Sequence, residues 1–341
     1  MPRKTKMNSI TSPELLAQVN PDNMQLKNDF LEYLRSIQRS PGTIAGYSND
    51  LDIFFVWVMQ NAKNKPFHKI TKRDIVAYQG WLIGSNQNSP ARVRRLKAAL
   101  SSLSNFCEGI LRDEEEEYAN FRPIVRKIEN PALVPVREKT VWKDSELLDV
   151  LDKLVETKRF DVACFLALAM YGGRRKSEIC RFRVSDFDES HLVCDGALYK
   201  SSPILTKGGR YMECYTLAHS FRPYLDLWMG YREDNNIQSE WLFPANREGT
   251  DHIGTSRANS WMSIVSRLSG KDAYAHSLRH FHVSSLVQAG IPDSVVIDIL
   301  GWKSGADMLK IYDDTPKDDK FSMYFGAEGI KSVEKKGLDT L

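Results

Sequence analysis

The stretch from residue 113 to 139 divides this sequence into two segments that each carry regular apolar patterning. It opens on five consecutive acids, Asp113 to Glu117, and holds Pro123, Pro131 and Pro135 with little periodicity. With 341 residues, the chain exceeds what a single core usually serves, and each side of the break is long enough to bury its own. The expected organisation is a flexible arm over 1–23, a helical domain over 24–112, a linker over 113–139, a second domain over 140–325 and a tail over 326–341.

Four helices are expected in the first domain. Leu26, Phe30, Leu31, Leu34 and Ile37 recur at helical spacing, and after Ser40-Pro41-Gly42 so do Ile44, Tyr47, Leu51, Phe54, Phe55 and Val58. Thr71 with Asp74 three residues on reads as a capping box opening a third helix, and Ser89-Pro90 opens a fourth through Val93, Leu96, Leu100, Leu103 and Phe106. Residues 1–112 hold 16 of the 47 Lys and Arg but only 8 of the 44 Asp and Glu. Positive charge concentrated in one segment favours a polyanionic partner, because neutralising phosphates releases counterions. Arg92, Arg94, Arg95 and Lys97 lie in the first turns of the fourth helix, whose free N–H groups also favour phosphate, and they are the expected contacts to a DNA backbone.

The second segment reads as mainly helical with a small antiparallel sheet. A helix capped near Asp144 precedes an almost wholly apolar one from Phe160 to Met170. Short β-like runs flank Lys207-Gly208-Gly209-Arg210, a hairpin turn, and helical patterns return at 221–231, 261–268, 277–289, 291–300 and 307–312. No apolar run is long enough to span a bilayer, and no signal core follows the N-terminus, so a cytoplasmic protein without membrane contact is expected. The five cysteines are scattered and form no CxxC pair.

Four patches of the second segment carry chemistry. Tyr171-Gly172-Gly173-Arg174-Arg175-Lys176-Ser177-Glu178 is a glycine turn between two helices, and it sets a guanidinium beside free N–H groups where an anionic oxygen can be gripped. In His276-Ser277-Leu278-Arg279-His280 the first histidine and the arginine are three apart and share a helix face. His276 and His280 have the spacing of a zinc protease pair, but Ser277 stands where its glutamate would be, so no metal is expected. Leu300-Gly301-Trp302 offers an indole N–H, and Lys310-Ile311-Tyr312-Asp313 offers a phenol.

In this order the patches resemble the active-site boxes of the tyrosine recombinase, or phage integrase, family. The resemblance covers roughly residues 24 to 325, and includes Ser-Pro-Gly-Thr-Ile-x-x-Tyr at 40–47 in what would be the core-binding domain. It implies a two-domain DNA clamp, a four-helix core-binding domain plus a catalytic domain. Tyr312 would be the nucleophile; Arg175, His276, Arg279 and Trp302 would hold the phosphate; Lys207 would protonate the leaving oxygen; and Glu178 and His280 would support. Two departures stand out: Trp302 replaces the family's usual histidine, and Tyr312 lies one residue further from it than usual, an insertion that a loop near Gly305 would absorb. Tyr324 is the competing phenol. The implied activity is site-specific DNA cleavage and rejoining through a 3′-phosphotyrosine link, with no metal, ATP or other cofactor. The implied partners are double-stranded DNA, which would hold the protein at the nucleoid, and three further copies in a tetramer on two DNA sites, the free chain being a monomer. A type IB topoisomerase-like relaxing enzyme and a catalytically silent DNA-binding regulator remain the alternatives.

Overall fold

A polar residue followed by proline begins four helices of the first segment. Ser12, Asn20, Ser40 and Ser89 each accept a hydrogen bond from a backbone N–H in the following turn, while the proline occupies a first-turn position where no N–H is needed. These sites start α1 (Pro13–Leu16), α2 (Pro21–Ser36), α3 (Pro41–Asn61) and α5 (Pro90–Phe106). Between the last two, α4 (Lys72–Gly84) opens on the expected capping box of Thr71 and Asp74. The computed structural model describes residues 10–86, 88–132, 139–206, 209–246, 249–302, 305–316, 325–326 and 329–330, and the chain divides into two compact units after residue 138.

The first unit closes around aromatic side chains. Phe54 meets Tyr78 edge to face with ring centres 5.0 Å apart, and Phe30, Phe55 and Phe67 are fully enclosed beside them. Two boundary expectations are corrected. Residues 12–23, placed in a flexible arm, form α1 and the start of α2, and Asn64 fastens them by accepting from the Asn20 N–H and donating to the Gln18 carbonyl. The stretch expected to be a linker from 113 is ordered at its start. After α5 the chain makes a π-helical turn (Cys107–Leu111) and the short α6 (Arg112–Glu114), and then Tyr118, Phe121 and Ile124 bury into the same core. These three apolar residues lie at intervals of three, but they follow an acidic run and Pro123 interrupts them, so they make no helical pattern.

The second unit is built on α8 (Phe160–Gly172), buried along nearly its whole length and packed by α7 (Asp144–Glu156), α10 (Ala218–Asp234) and α12 (Ala275–Gln288). Its apolar character on all faces is what a central helix requires. The chain leaves α8 through Gly173, left-handed at φ +57°, into the four-residue α9 (Lys176–Ile179). Strands β1 (Leu192–Val193), β2 (Leu198–Lys200) and β5 (Tyr215–Leu217) form one antiparallel sheet in that spatial order, with Tyr199 opposite Thr216. Strands β3 (Ile204–Leu205) and β4 (Tyr211–Met212) form the expected hairpin, closed by the Thr206 N–H donating to the Arg210 carbonyl. The single β-like run expected after the turn is therefore split: Tyr211 and Met212 pair within the hairpin, and Tyr215 to Leu217 joins the other sheet.

Helices α11 (Thr255–Ser269), α12, α13 (Asp293–Leu300) and α14 (Gly305–Tyr312) complete the unit, with a two-stranded ribbon of β6 (Phe325–Gly326) and β7 (Gly329–Ile330) beyond them. The last three of these helices enclose a small core of their own from Val283, Leu286, Val296, Leu300, Trp302, Leu309 and Tyr312. Two glycines fix how this part meets the rest. A Cβ on Gly173 would collide with the ring of His282, and one on Gly301, left-handed at φ +63°, would collide with the end of Met212 on β4. Gly173→Ala combines left-handed strain with a clash against a buried ring, so thermal unfolding of the variant should report a loss of about 2 kcal/mol or more.

Candidate active site

Tyr312 is 5% exposed, and its phenol oxygen lies 2.7 Å from His276 Nε2. One more turn of α12 brings His280 beneath it, its ring stacked on the phenol at 4.6 Å, while Trp302 lies 5.2 Å away on a third side. Arg279 closes the cluster, its guanidinium carbon 5.3 Å from the Trp302 ring and 5.5 Å from that of Tyr312. Helix periodicity explains the set: 276, 279 and 280 share one face of α12, and α14 lays residue 312 across that face. The sequence alone placed these residues in one order along the chain; the fold places them around one phenol.

Arg279 is fully buried, and only Nη1 has a partner, donating to the Gly173 carbonyl at 2.8 Å. Its Nε and Nη2 are buried without an acceptor, as is Trp302 Nε1. Burial pulls the Arg279 pKa down to about 10, and the charges of Arg175 and Arg174 push it the same way. A buried cation among like charges with donors unspent has the chemistry to receive an anionic oxygen.

Arg175 sits at the cap of α9 and is half-buried. Glu178, enclosed almost completely, accepts from its backbone N–H at 3.0 Å and from its Nη1 at 2.9 Å. The carboxylate thereby fixes both the turn and the guanidinium. Arg174, which the sequence left without a role, is 1% exposed and donates through Nη2 to the carbonyl of Ile299, near the end of α13 and three residues before Trp302. No periodicity marks such an arginine; only its neighbourhood to the box could have drawn attention.

His282 was also missed, because a histidine on a buried helix face has no pattern of its own. Its Nδ1 lies 2.8 Å from the Met170 carbonyl, and burial holds its pKa down to about 4, the Met170 bond opposing and Arg174 and Arg279 assisting. The folded value is below the ordinary ~6.5, so the unfolded chain takes up the proton first. Stability is undiminished above that ordinary value and falls as pH drops towards 4, by about 3 kcal/mol in total. Melting curves between pH 7 and 4.5 should show this loss, and His282→Gln, whose side chain does not titrate, should flatten it.

Lys207 and Tyr324 lie outside the described residues. The hairpin that carries position 207 is anchored through Met212 against Gly301, immediately before Trp302. Of the four basic residues on α5, Arg92 and Arg95 both reach the carboxylate of Asp50, at 2.7 and 3.1 Å. Arg94 donates twice to the Pro131 carbonyl. Lys97 is turned inward, 3% exposed, with its ammonium donating to Gln79 Oε1 and the carbonyls of Ile128 and Glu129. Among the described residues no group of His, Cys, Asp and Glu side chains is arranged to hold a metal ion, and no helix is long and apolar enough to cross a membrane.

Residues 143–318 match the model of the phage integrase family, and residues 26–117 that of the phage integrase N-terminal SAM-like domain. The chain belongs to the phage integrase family. Tyrosine recombinases, as this family is also called, are enzymes of site-specific DNA recombination. Among curated relatives, the SPbeta prophage-derived recombinase-like protein YomM of Bacillus subtilis is 28% identical over 296 residues, 84% of each chain. Tyrosine recombinase XerA of Pyrococcus horikoshii is 23% identical over 287 residues, 82% of this chain and 85% of XerA. Among solved structures, XerH recombinase in a post-cleavage complex with a palindromic difH substrate shares the fold at a TM-score of 0.66, with 18% identity over 88% of this chain and 83% of that chain. The SAM-like match begins within α2, and α1 precedes it in the chain.

Proposed function

We propose that this chain is an active site-specific recombinase that breaks and rejoins DNA through a phosphotyrosine bond to Tyr312. The observation that carries the reading is the phenol–imidazole hydrogen bond of Tyr312 and His276, set against the buried and underused donors of Arg279 and Trp302. The phenol oxygen attacks a backbone phosphorus, passing its proton to His276 Nε2. The bond from phosphorus to the 5′ oxygen breaks, and that oxygen takes a proton from Lys207, leaving a 5′ hydroxyl and a 3′ phosphate joined to Tyr312. Arg175, Arg279 and Trp302 donate to the non-bridging oxygens as charge gathers there. One phosphate ester replaces another, so rejoining to a different 5′ hydroxyl needs no ATP, and the donors described supply the stabilisation a metal would otherwise provide.

Glu178 and His280 act through their neighbours, one orienting Arg175 and the other supporting the Tyr312 ring. In the first unit, Arg92 and Arg95 are the phosphate contacts, aligned by Asp50, while Arg94 and Lys97 set the course of the chain beyond α5. Assembly as a tetramer on two DNA sites follows from the chemistry of exchange, which needs two duplexes cut together.

A pool of nicked duplexes of randomised sequence tests this. Cleavage near the nick releases a short fragment and traps the protein on DNA, and sequencing the trapped strands reveals the preferred site. Adducts enriched for one sequence are expected. Relaxation of supercoiled plasmid with no sequence enrichment would support the topoisomerase alternative, and DNA binding without any adduct would support the silent regulator.

A further inference from the structure

The segment that opens the second unit is laced across both elements of the candidate site. Lys139 Nζ donates at 2.8 Å to the Ile311 carbonyl, in the last turn of α14, and at 2.8 Å to Asp314 Oδ1. The other oxygen of Asp314 lies 3.3 Å from His280 Nδ1, which is itself 3.1 Å from the Tyr312 carbonyl, and the Asp314 N–H donates to Ser284 Oγ. Three residues further on, Trp142 Nε1 donates to Ser277 Oγ, directly beside His276, and between them Thr140 donates to the Asp272 carbonyl. A strap of four residues thus grips the two helix ends whose separation sets the distance from Tyr312 to His276.

We infer that Lys139 is a positioning residue for the nucleophile: its ammonium, bridging the Ile311 carbonyl and Asp314, holds the end of α14 so that the Tyr312 phenol stays on His276. This rests on the reading of Tyr312 given above. The Lys139 side chain is half exposed, so its ion pair adds little to stability. Its value lies in geometry. A cation at a helix C-terminus satisfies a carbonyl left over by the helix and is favoured there by the dipole.

The test uses the full chain and the duplex selected from the randomised pool, with single-turnover cleavage and DNA affinity measured separately. Lys139→Met should slow cleavage by about tenfold to a hundredfold, the scale expected when a reacting group is displaced by an ångström, while affinity and melting temperature stay near those of the parent. Lys139→Arg, which can still reach both acceptors, should recover most of the rate. A second duplex bearing a bridging 5′ sulfur separates positioning from proton donation, because a thiolate leaves without a proton: Lys139→Met should remain slow on it, whereas Lys207→Ala should be rescued. Cleavage by Lys139→Met within about twofold of the parent, or its rescue by the sulfur substrate, would overturn the inference while leaving Tyr312 in place. Failure of the unaltered chain to form any adduct would overturn both.

Discussion

Tyr312→Phe is expected to leave DNA binding intact and to abolish the covalent adduct. The substitution removes one oxygen and keeps the ring that packs between His280, Trp302 and Arg279, so the small core of α12, α13 and α14 survives. The expected loss is complete within detection, because a phenylalanine has no atom that can bond to phosphorus. Denaturing gels of the trapped duplex read the adduct, and gel shift under native conditions reads binding. An adduct persisting in this variant would assign the nucleophile to another residue, and Tyr324 would be mutated next.

Arg279→Met should separate stability from activity. The buried guanidinium donates from Nη1 to Gly173 and leaves two nitrogens, Nε and Nη2, without acceptors beside Arg174 and Arg175, so without DNA it is expected to cost stability rather than add to it. An apolar side chain of similar length relieves that repulsion, and the melting temperature is expected to hold or rise. Cleavage should fall by about a hundredfold to a thousandfold, the cost typical of losing one preorganised donor at a developing oxyanion. Arg279→Lys should not restore it, because a single ammonium cannot donate to a phosphate oxygen and to Gly173 in the geometry of a planar fork. Cleavage near the parental rate would remove Arg279 from the site.

Much of this could be read from residues alone. Ser-Pro and Asn-Pro pairs act within one turn of chain, so helix starts at 41 and 90 follow directly from local chemistry, and the recurrence of apolar residues fixes the buried faces. The boxes around Arg175, His276, Trp302 and Tyr312 were legible as a resemblance, since their residue types and order are local properties too. What escaped notice depends on distant partners. Asn64 orders the supposed arm across more than forty residues, Tyr118 and Phe121 return to a core built earlier in the chain, and Lys139 meets Asp314 only after the unit has folded. Lys97 shows the same limit from the other side, since its position on a basic helix gave no sign that it points inward.

The seating of Met212 on the bare face of Gly301 has a bearing on how the site can vary. Strand β4 and the corner before Trp302 meet at this point, where a thioether lies against bare backbone. A side chain at 301 has to push aside the flexible end of Met212 and also carries the strain of a left-handed backbone. Gly301→Ala should therefore lose stability mainly through its left-handed backbone, and shortening Met212 at the same time should recover only the part due to the contact, as melting temperatures of the single and double variants would read.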